Sequence, residues 1–332
     1  MRVAVVGAGV VGLSTTAALL QRGADVVCFE QAGGPMTERS AGSSRIFRLA
    51  HGTPELVALA RTARDGFARW QARSGRPLIS PVGCVVSGTG MPEWASAMAA
   101  AEAAHRLVDA EELRLPVRRA PAPALLDPAG GVIDVDAVRN LLTELAGGSV
   151  VRATVQALEP EPAGTTVLSS AGRGRFDAVL LAAGAGTPPL AAQAGIDAPA
   201  TLCHHVRFSF PVPPGQWACW IDKPADETGT YQHQSGPGHW SLGGYVDPAL
   251  TAWERGPDAA AEASRAAALS YARERLTVEP RVVGSLYCTH VPDLGDGYTV
   301  ARRGSVVAVH GENLFKLAPL LGDELATTLL TG

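Results

Sequence analysis

The first thirty residues constrain this chain most, because they spell out a strand, a glycine-bearing turn, a helix and a second strand in register. Val3 to Val6 is apolar and mostly β-branched, the composition of a strand buried in a parallel sheet. Gly7-Ala8-Gly9-Val10-Val11-Gly12 follows, and Leu13 to Gln21 reads as a helix closed by Arg22-Gly23. Asp25 to Phe29 is a second short strand ending on Glu30, 18 positions after Gly12. Gly7 permits a turn that a β-carbon would obstruct, Gly9 lets backbone approach a pyrophosphate, and Gly12 lets helix and strand pack closely. The helix start offers N–H groups and partial positive charge to phosphates, and Glu30 is placed to accept from a ribose 2′-hydroxyl. An adenine dinucleotide is the expected ligand, and Glu30 disfavours one bearing a 2′-phosphate.

The remaining bounds are mostly exclusions. The chain has 332 residues, enough for one large or two intertwined domains, and 46% of them are apolar. A net charge of −4 without a strong block of one sign argues against nucleic acid and against an anionic membrane. No apolar run is long enough to span a bilayer. The five cysteines contain no C-x-x-C pair, as in a reduced, cytoplasmic protein. Cys203-His204-His205 is the one cluster with metal-ligand chemistry, but neighbours on a strand face opposite ways, so no metal is expected.

The order of elements predicts an α/β architecture, a Rossmann-type dinucleotide domain interleaved with a smaller substrate domain on a mostly antiparallel sheet. The first domain is expected over residues 1–80, 131–200 and 299–332, the second over 81–130 and 201–298. Apolar spacing predicts a helix over Pro54–Trp70, a strand over Leu78–Val86 and an alanine-rich helix over Pro92–Leu107. Pro116–Pro128 reads as a proline-rich loop, and Ala137–Ala146 as a helix capped by Asp134 or Asp136. Val150–Leu158, Thr165–Ser169 and Arg175–Ala182 read as strands returning to the first sheet. Val206–Phe210, Trp217–Ile221, Gly229–Gln232 and His239–Tyr245 alternate with turns, a helix covers Ala259–Leu276, and Val282–Thr289 is a further strand. Val306–Val309 and a helix over Phe315–Leu330 close the chain.

Several of these stretches together resemble one family. Val3–Glu30, Gly42–Gly52 (Gly-Ser-Ser-Arg-Ile-Phe-Arg-Leu-Ala-His-Gly), Gly131–Ala146, Phe176–Gly186, Leu242–Pro248, Ser285–Asp293 and Gly311–Leu330 are similar to the FAD-dependent amine and amino-acid oxidases related to D-amino-acid oxidase. The monomeric sarcosine oxidase branch is the nearest match. The resemblance implies FAD, with its isoalloxazine at the boundary between the domains. It implies hydride transfer from the carbon next to nitrogen to flavin N5, giving an imine.

The resemblance also assigns residues. Beyond Gly7, Gly9, Val10, Val11, Gly12 and Glu30, the flavin contacts carried over are Gln31, Ser43, Ser44 and Arg45, then Val155, Ala183 and Gly184, then Gly311 and Asn313 to Lys316 by way of Leu314 and Phe315. The substrate carboxylate falls to Arg48 and Lys316, and arginine's planar fork suits it. Arg45 is next to the flavin by the same resemblance, or else a solvated surface charge. Tyr231 and His233 alternate on a substrate-domain strand, facing the pocket or serving structure.

Three departures stand out. The family's lysine that promotes reaction with oxygen is Ser241 here, and the histidine before the arginine pair is Ala41. The position six before Pro292-Asp293, where the branch carries a covalently attached cysteine, is Leu286. Cys288, two residues on, is the only candidate for a covalent link, and FAD is expected to be non-covalent. The partners implied are a small amine or amino acid and oxygen or another electron acceptor. Two rival readings remain: a dehydrogenase or tailoring enzyme acting on a larger or carrier-bound amine, and a flavin-binding subunit without catalysis. A third, a nicotinamide-dependent dehydrogenase, is opposed by the Phe315–Leu330 stretch.

Overall fold

The computed structural model describes residues 1–224, 228–292 and 294–331. Two compact units divide the chain: Met1–Gly42, Asp136–Thr201 and Val291–Gly332 form one, Ser43–Val135 and Leu202–His290 the other.

The first unit is built on a six-stranded sheet. Arg2–Val6 lies at its centre, parallel to Asp25–Glu30 on one side and to Ala178–Leu181 on the other. Val150–Arg152 extends one edge in parallel, and Val306–Glu312 the opposite one. Beyond it lies Gly297–Arg303, antiparallel and not anticipated from sequence. Its charged end, Arg302 and Arg303, hides the period of an edge strand.

Alternate residues of the central strands serve two layers. Ala4, Val6, Phe29, Val179, Leu181 and Ala308 pack with Leu158, Val167, Phe176 and Leu190. Those partners come from the strands Val155–Glu161, Gly164–Ser169 and Gly172–Phe176, and from the helix Thr187–Gln193. The three strands form a separate antiparallel sheet, so of the stretches expected to return to the first sheet only Val150–Arg152 and Ala178–Leu181 do so. The predicted strand Val150–Leu158 is likewise two strands, broken at Ala153-Thr154. The helix Val10–Gln21 packs against Ala318–Leu330 closely enough that a β-carbon on Gly322 would lie 2.8 Å from the Ser14 carbonyl oxygen. The chain reaches that last helix through the short 3₁₀ turn Leu314–Leu317.

The second unit is built on an eight-stranded sheet in which Gly284–His290, Cys203–Pro211, His239–Gly244, Thr230–Gly236 and Cys219–Lys223 run antiparallel in that order. Cys84–Gly88 then joins in parallel, followed by Ala124–Asp127 and Arg106–Val108. Three expectations are corrected here. The Pro116–Pro128 stretch is not all loop, because Ala124–Asp127 pairs with Cys84–Val86. The alanine-rich helix ends at Ala100, where Glu102 turns left-handed and leads into Arg106–Val108. The strand expected over Leu78–Val86 is split, since Gly83 has φ +78°. Ile79–Ser80 instead joins Ser44–Phe47 and Gly131–Asp134 in a small fourth sheet. The helix Pro257–Arg275 lies on one face of the large sheet, over Phe208, Phe210, Trp240 and Leu242.

Candidate active site

Within the first unit, the glycines of the opening turn leave no room for side chains. Gly7 has φ +100°, and a β-carbon there would lie 2.6 Å from the Ala182 carbonyl oxygen and 2.9 Å from Ala183 Cα. A β-carbon on Gly12 would lie 1.8 Å from the Gly7 carbonyl oxygen. The turn and the end of Ala178–Leu181 therefore make one backbone-lined cradle. The first bond within the helix runs from Leu13 N–H to the Gly9 carbonyl, so the N–H groups of Val10, Val11 and Gly12 precede it. Val10 N–H donates to Ser40 Oγ at 3.0 Å.

Glu30 accepts from the backbone N–H of Ala8 and of Ala32, both at 2.8 Å. These bonds fix the carboxylate at the lip of the turn, beside Gln31. A carboxylate offers about four acceptor sites, so it can take further hydrogen bonds. Val155 opens the first strand of the three-stranded sheet, and Ala183-Gly184 enters a 3₁₀ turn with Gly184 left-handed at φ +56°.

A second backbone corner lies at Gly311–Lys316. A β-carbon on Gly311 would meet the Gly297 carbonyl oxygen at 2.3 Å, and Asn313 is left-handed at φ 56°. Asn313 Nδ2 donates to Asp296 Oδ1 at 2.7 Å, and the buried Lys316 ammonium pairs with the same oxygen at 3.2 Å. Phe315 is buried with it, between Leu314 and Lys316. Arg39 pairs with Glu312 at 2.5 Å, and Glu312 also accepts from Val291 N–H.

The polar groups of the second unit gather on the face of the large sheet opposite the helix Pro257–Arg275. Strand register puts them there: His205 is opposite Cys288, Ser209 opposite Ser241, Ser241 opposite His233, and Gly243 opposite Tyr231. Gly243 matters most. A β-carbon on it would lie 2.3 Å from Tyr231 Cζ, so the ring of Tyr231 lies across β-carbon-free backbone and reaches His205 two strands away. Tyr231 Oη and His205 Nε2 share a hydrogen bond of 2.5 Å. Ser241, on the intervening strand, bonds Ser209 Oγ at 3.0 Å.

His233 is fully buried; its Nε2 shares a 2.9 Å hydrogen bond with Ser44 Oγ, and its Nδ1 has no partner among the described residues. Ser43 donates to the Ser235 carbonyl at 3.3 Å. Arg45 and Arg207 both donate to the Ser44 carbonyl, at 2.8 and 3.0 Å. Arg48 is buried and engages a different set. Its guanidinium donates to the Ala50 carbonyl and to His51 Nδ1 at 2.8 Å, and lies 4.7 Å from the centre of the Trp94 ring.

Burial sets the protonation states. It pushes His205 down to about 4, assisted by His290, Arg207 and Arg45, and holds His233 well below the ordinary imidazole value. Tyr231 is pushed up to about 12 by burial, against the opposing pull of Arg207. Arg45 is lowered to about 10, by burial first and then by Arg207. At neutral pH the face therefore carries neutral imidazoles, a protonated phenol and charged guanidinium groups.

Arg207 and His205 had not been singled out as site residues. Their signal was nevertheless present: between Val206 and Phe208, a charged residue on a strand must face away from the apolar side. His204, by contrast, faces the other way from His205, stacking on Trp253 with ring centroids 4.8 Å apart and bonding Tyr287 Oη at 2.8 Å. Cys288 is half-buried on the polar face, two residues from Leu286, while Asp293, the second member of the Pro292-Asp293 pair, lies outside the described residues.

Comparison with known proteins identifies the class of molecule. Residues 2–328 match the family model described as FAD dependent oxidoreductase, and the chain belongs to that family. FAD is thus its cofactor, and the close-packed glycine turn at Gly7, Gly9 and Gly12 fits a dinucleotide. Among solved structures, the chain is similar to NikD, described as an unusual amino acid oxidase essential for nikkomycin biosynthesis, with a TM-score of 0.84 at 23% identity, covering 99% of this chain and 93% of that one. It is also similar to glycine oxidase from Geobacillus kaustophilus (TM-score 0.77, 18% identity, 99% and 95% covered). L-proline dehydrogenase from P. horikoshii has the same fold (TM-score 0.77, 15% identity, 100% and 93% covered). No curated protein matches the sequence. Among the described residues, no helix is long and apolar enough to cross a membrane.

Proposed function

We propose that this FAD-dependent oxidoreductase oxidises the carbon–nitrogen bond of an amino acid or N-alkyl amino acid to an imine. The observation that carries the reading is the polar face of the second unit's sheet, with its buried arginine and its histidines held neutral. A carboxylate in a dry site needs fixed positive charge. An amine must be neutral before electrons leave the adjoining carbon, and guanidinium groups beside neutral imidazoles disfavour the ammonium form. The amino-acid oxidases and the dehydrogenase of the same fold support the substrate class.

FAD, when bound, supplies the two-electron acceptor. In the first unit Gly7, Gly9, Val10, Val11 and Gly12 are the proposed seat of its pyrophosphate, and Glu30 the acceptor for ribose. Ala183-Gly184 and Gly311–Lys316 are proposed to complete the cradle, with Gln31 and Val155 at its edge. In the second unit Ser43, Ser44 and Arg45 are the proposed flavin-side residues, and Arg48 the ligand of the α-carboxylate. Lys316 is the proposed carboxylate cation of the first unit. Tyr231 and His233 hold protons near the substrate amine without acting as strong bases. FAD is proposed to be non-covalent, with Cys288 the alternative point of attachment. The cysteine pattern supports a reducing, cytoplasmic setting.

Ser241 favours a second reading of the electron acceptor. It is 1% exposed and bonded to Ser209, and by the sequence resemblance it stands where the sarcosine oxidase branch carries a lysine. Slow reoxidation by oxygen follows from that, as in a dehydrogenase or a biosynthetic tailoring enzyme. The test is the visible spectrum of the purified protein, mixed without oxygen with amino acids and N-methyl amino acids. Bleaching of a yellow flavin band by one member supports the reading, and readmitted air then separates oxidase from dehydrogenase. A yellow protein that no amine bleaches overturns it.

A further inference from the structure

Ser44 is the meeting point of two guanidinium groups and an imidazole. Its carbonyl oxygen accepts from Arg45 and from Arg207, and its hydroxyl bonds His233. Arg207 is 7% exposed, and among the described residues no carboxylate pairs with it. The groups whose charge favours its ionised form are Tyr231 and Cys288, both weak acids. His233 adds a second, independent observation, a buried Nδ1 without a partner among the described residues.

A guanidinium held out of water beside another is stabilised when an anion bridges them. Arginine's planar fork matches a carboxylate, and a neutral imidazole donates to one through whichever ring nitrogen carries the proton. The α-carboxylate already has its proposed ligand in Arg48, whose bonds go to Ala50 and His51 and whose plane lies on Trp94. The Ser44 cluster is a separate cationic point in the same unit.

We infer that Arg207, with Arg45 and His233 beside it, binds a second acidic group, so that the substrate is an amino acid carrying a carboxylate beyond the α-carboxylate. This rests on the amino-acid reading above and narrows its substrate class to acidic amines. Arg207 is then a specificity-determining residue, acting on which amine is held and not on the chemistry of the C–N bond.

The experiment compares FAD-loaded wild type with Arg207→Gln and Arg207→Lys, in binding and in flavin reduction. For binding, the unreactive pair glutarate and valerate is used, read as thermal stabilisation. Glutarate is expected to stabilise the wild type at concentrations where valerate does not, Arg207→Gln to lose that difference, and Arg207→Lys to keep part of it. For reduction, N-methylaspartate and N-methylalanine are mixed with each protein without oxygen. The ratio of the reduction rate constants at low substrate (kred/Kd) is expected to favour N-methylaspartate in the wild type and to fall roughly tenfold or more in Arg207→Gln.

An unchanged ratio and unchanged glutarate binding in Arg207→Gln overturn the inference. So does loss of FAD with discrimination intact, which assigns the arginine to the cofactor. Glutarate binding that depends on Arg207, in a protein no amine bleaches, upholds the acid site and overturns the amino-acid reading instead. Should Arg207→Gln fail to fold, Arg207→Lys decides, its discrimination being expected to fall in the same direction by a smaller factor.

Discussion

The two faces of the second unit's large sheet are made by the same strands and obey opposite rules. On the face under the helix Pro257–Arg275, the named polar groups form a closed chain. Trp240 Nε1 donates to Gln232 at 2.9 Å, Gln232 to Tyr271 at 3.0 Å, and Tyr271 to Asp222 at 2.8 Å. Ser87 completes it, donating to Asp222 and accepting from Trp220, both at 2.8 Å. On the other face lie Arg207, Tyr231, His205 and His233, with Arg45 and Arg207 adjacent and the His233 Nδ1 without a partner among the described residues. Tyr231, Gln232 and His233 are consecutive, so one strand serves both faces through its period of two. A face that satisfies itself contributes stability; a face that carries surplus donors contributes binding, at some cost to stability.

The largest expected effect lies on the closed face. Trp240→Ala removes a fully buried side chain and strands the Gln232 carbonyl oxygen, and should cost roughly 3–5 kcal/mol of unfolding free energy. Denaturant unfolding checks this. A loss below about 1 kcal/mol would mean that the helix-side core does not depend on the network, and the comparison would fail.

The next effect belongs to the open face and is read by pH. His205 has a folded-state value of about 4, below the ordinary 6.5, so the unfolded chain binds its proton first as pH falls. Its contribution is fully present above pH 6.5 and is lost as pH drops through that value toward 4. His205 is only half-buried by area, so the loss is placed at about 2 kcal/mol, below the full shift. His233 adds in the same direction. His205→Gln should flatten the stability curve between pH 6.5 and 4, whereas a wild-type curve without slope there would remove the neutral-imidazole argument.

Gly243→Ala probes how the open face is held. The new methyl group would enter the space of the Tyr231 ring and push it from His205, costing roughly 1–3 kcal/mol. Flavin reduction should suffer alongside stability, since both hydrogen-bonding groups move. If the variant's crystal structure kept the Tyr231–His205 bond, the glycine would be explained by something other than ring passage.

How much of this was legible in the sequence differs between the two units. The opening turn of the cradle was readable because its glycines, helix and acid lie within thirty residues, although the backbone that Gly7 meets, at Ala182 and Ala183, is far along the chain. The strand alternation of the second unit was readable too, and it singled out Tyr231 and His233. Arg207 escaped because its partner, Ser44, is 163 positions away. Periodicity tells which face a residue takes, not which distant backbone it meets there. The strand Ala124–Asp127 escaped for a related reason: prolines at 121, 123 and 128 flank it, and pairing with Cys84–Val86 on one side and Arg106–Val108 on the other still forms its ladder. The strand Gly297–Arg303 shows the same limit, since its pairing with Val306–Glu312 outweighs two charged residues.

The sharpest contrast comes from one deletion made twice. Tyr271→Phe and Tyr231→Phe each remove a single hydroxyl, the first from the closed face and the second from the open one. Losing the Tyr271 hydroxyl leaves a buried Asp222 oxygen without its donor, and should cost about 2 kcal/mol of stability. Losing the Tyr231 hydroxyl affects a half-buried imidazole that water can reach, and should cost about 1 kcal/mol or less. Activity should invert the order, with flavin reduction slowed more by Tyr231→Phe than by Tyr271→Phe. Unfolding curves and anaerobic reduction rates on the two variants measure both halves. If Tyr231→Phe proved the more destabilising and left reduction untouched, the open face would be a second structural network and the substrate would have to be sought elsewhere.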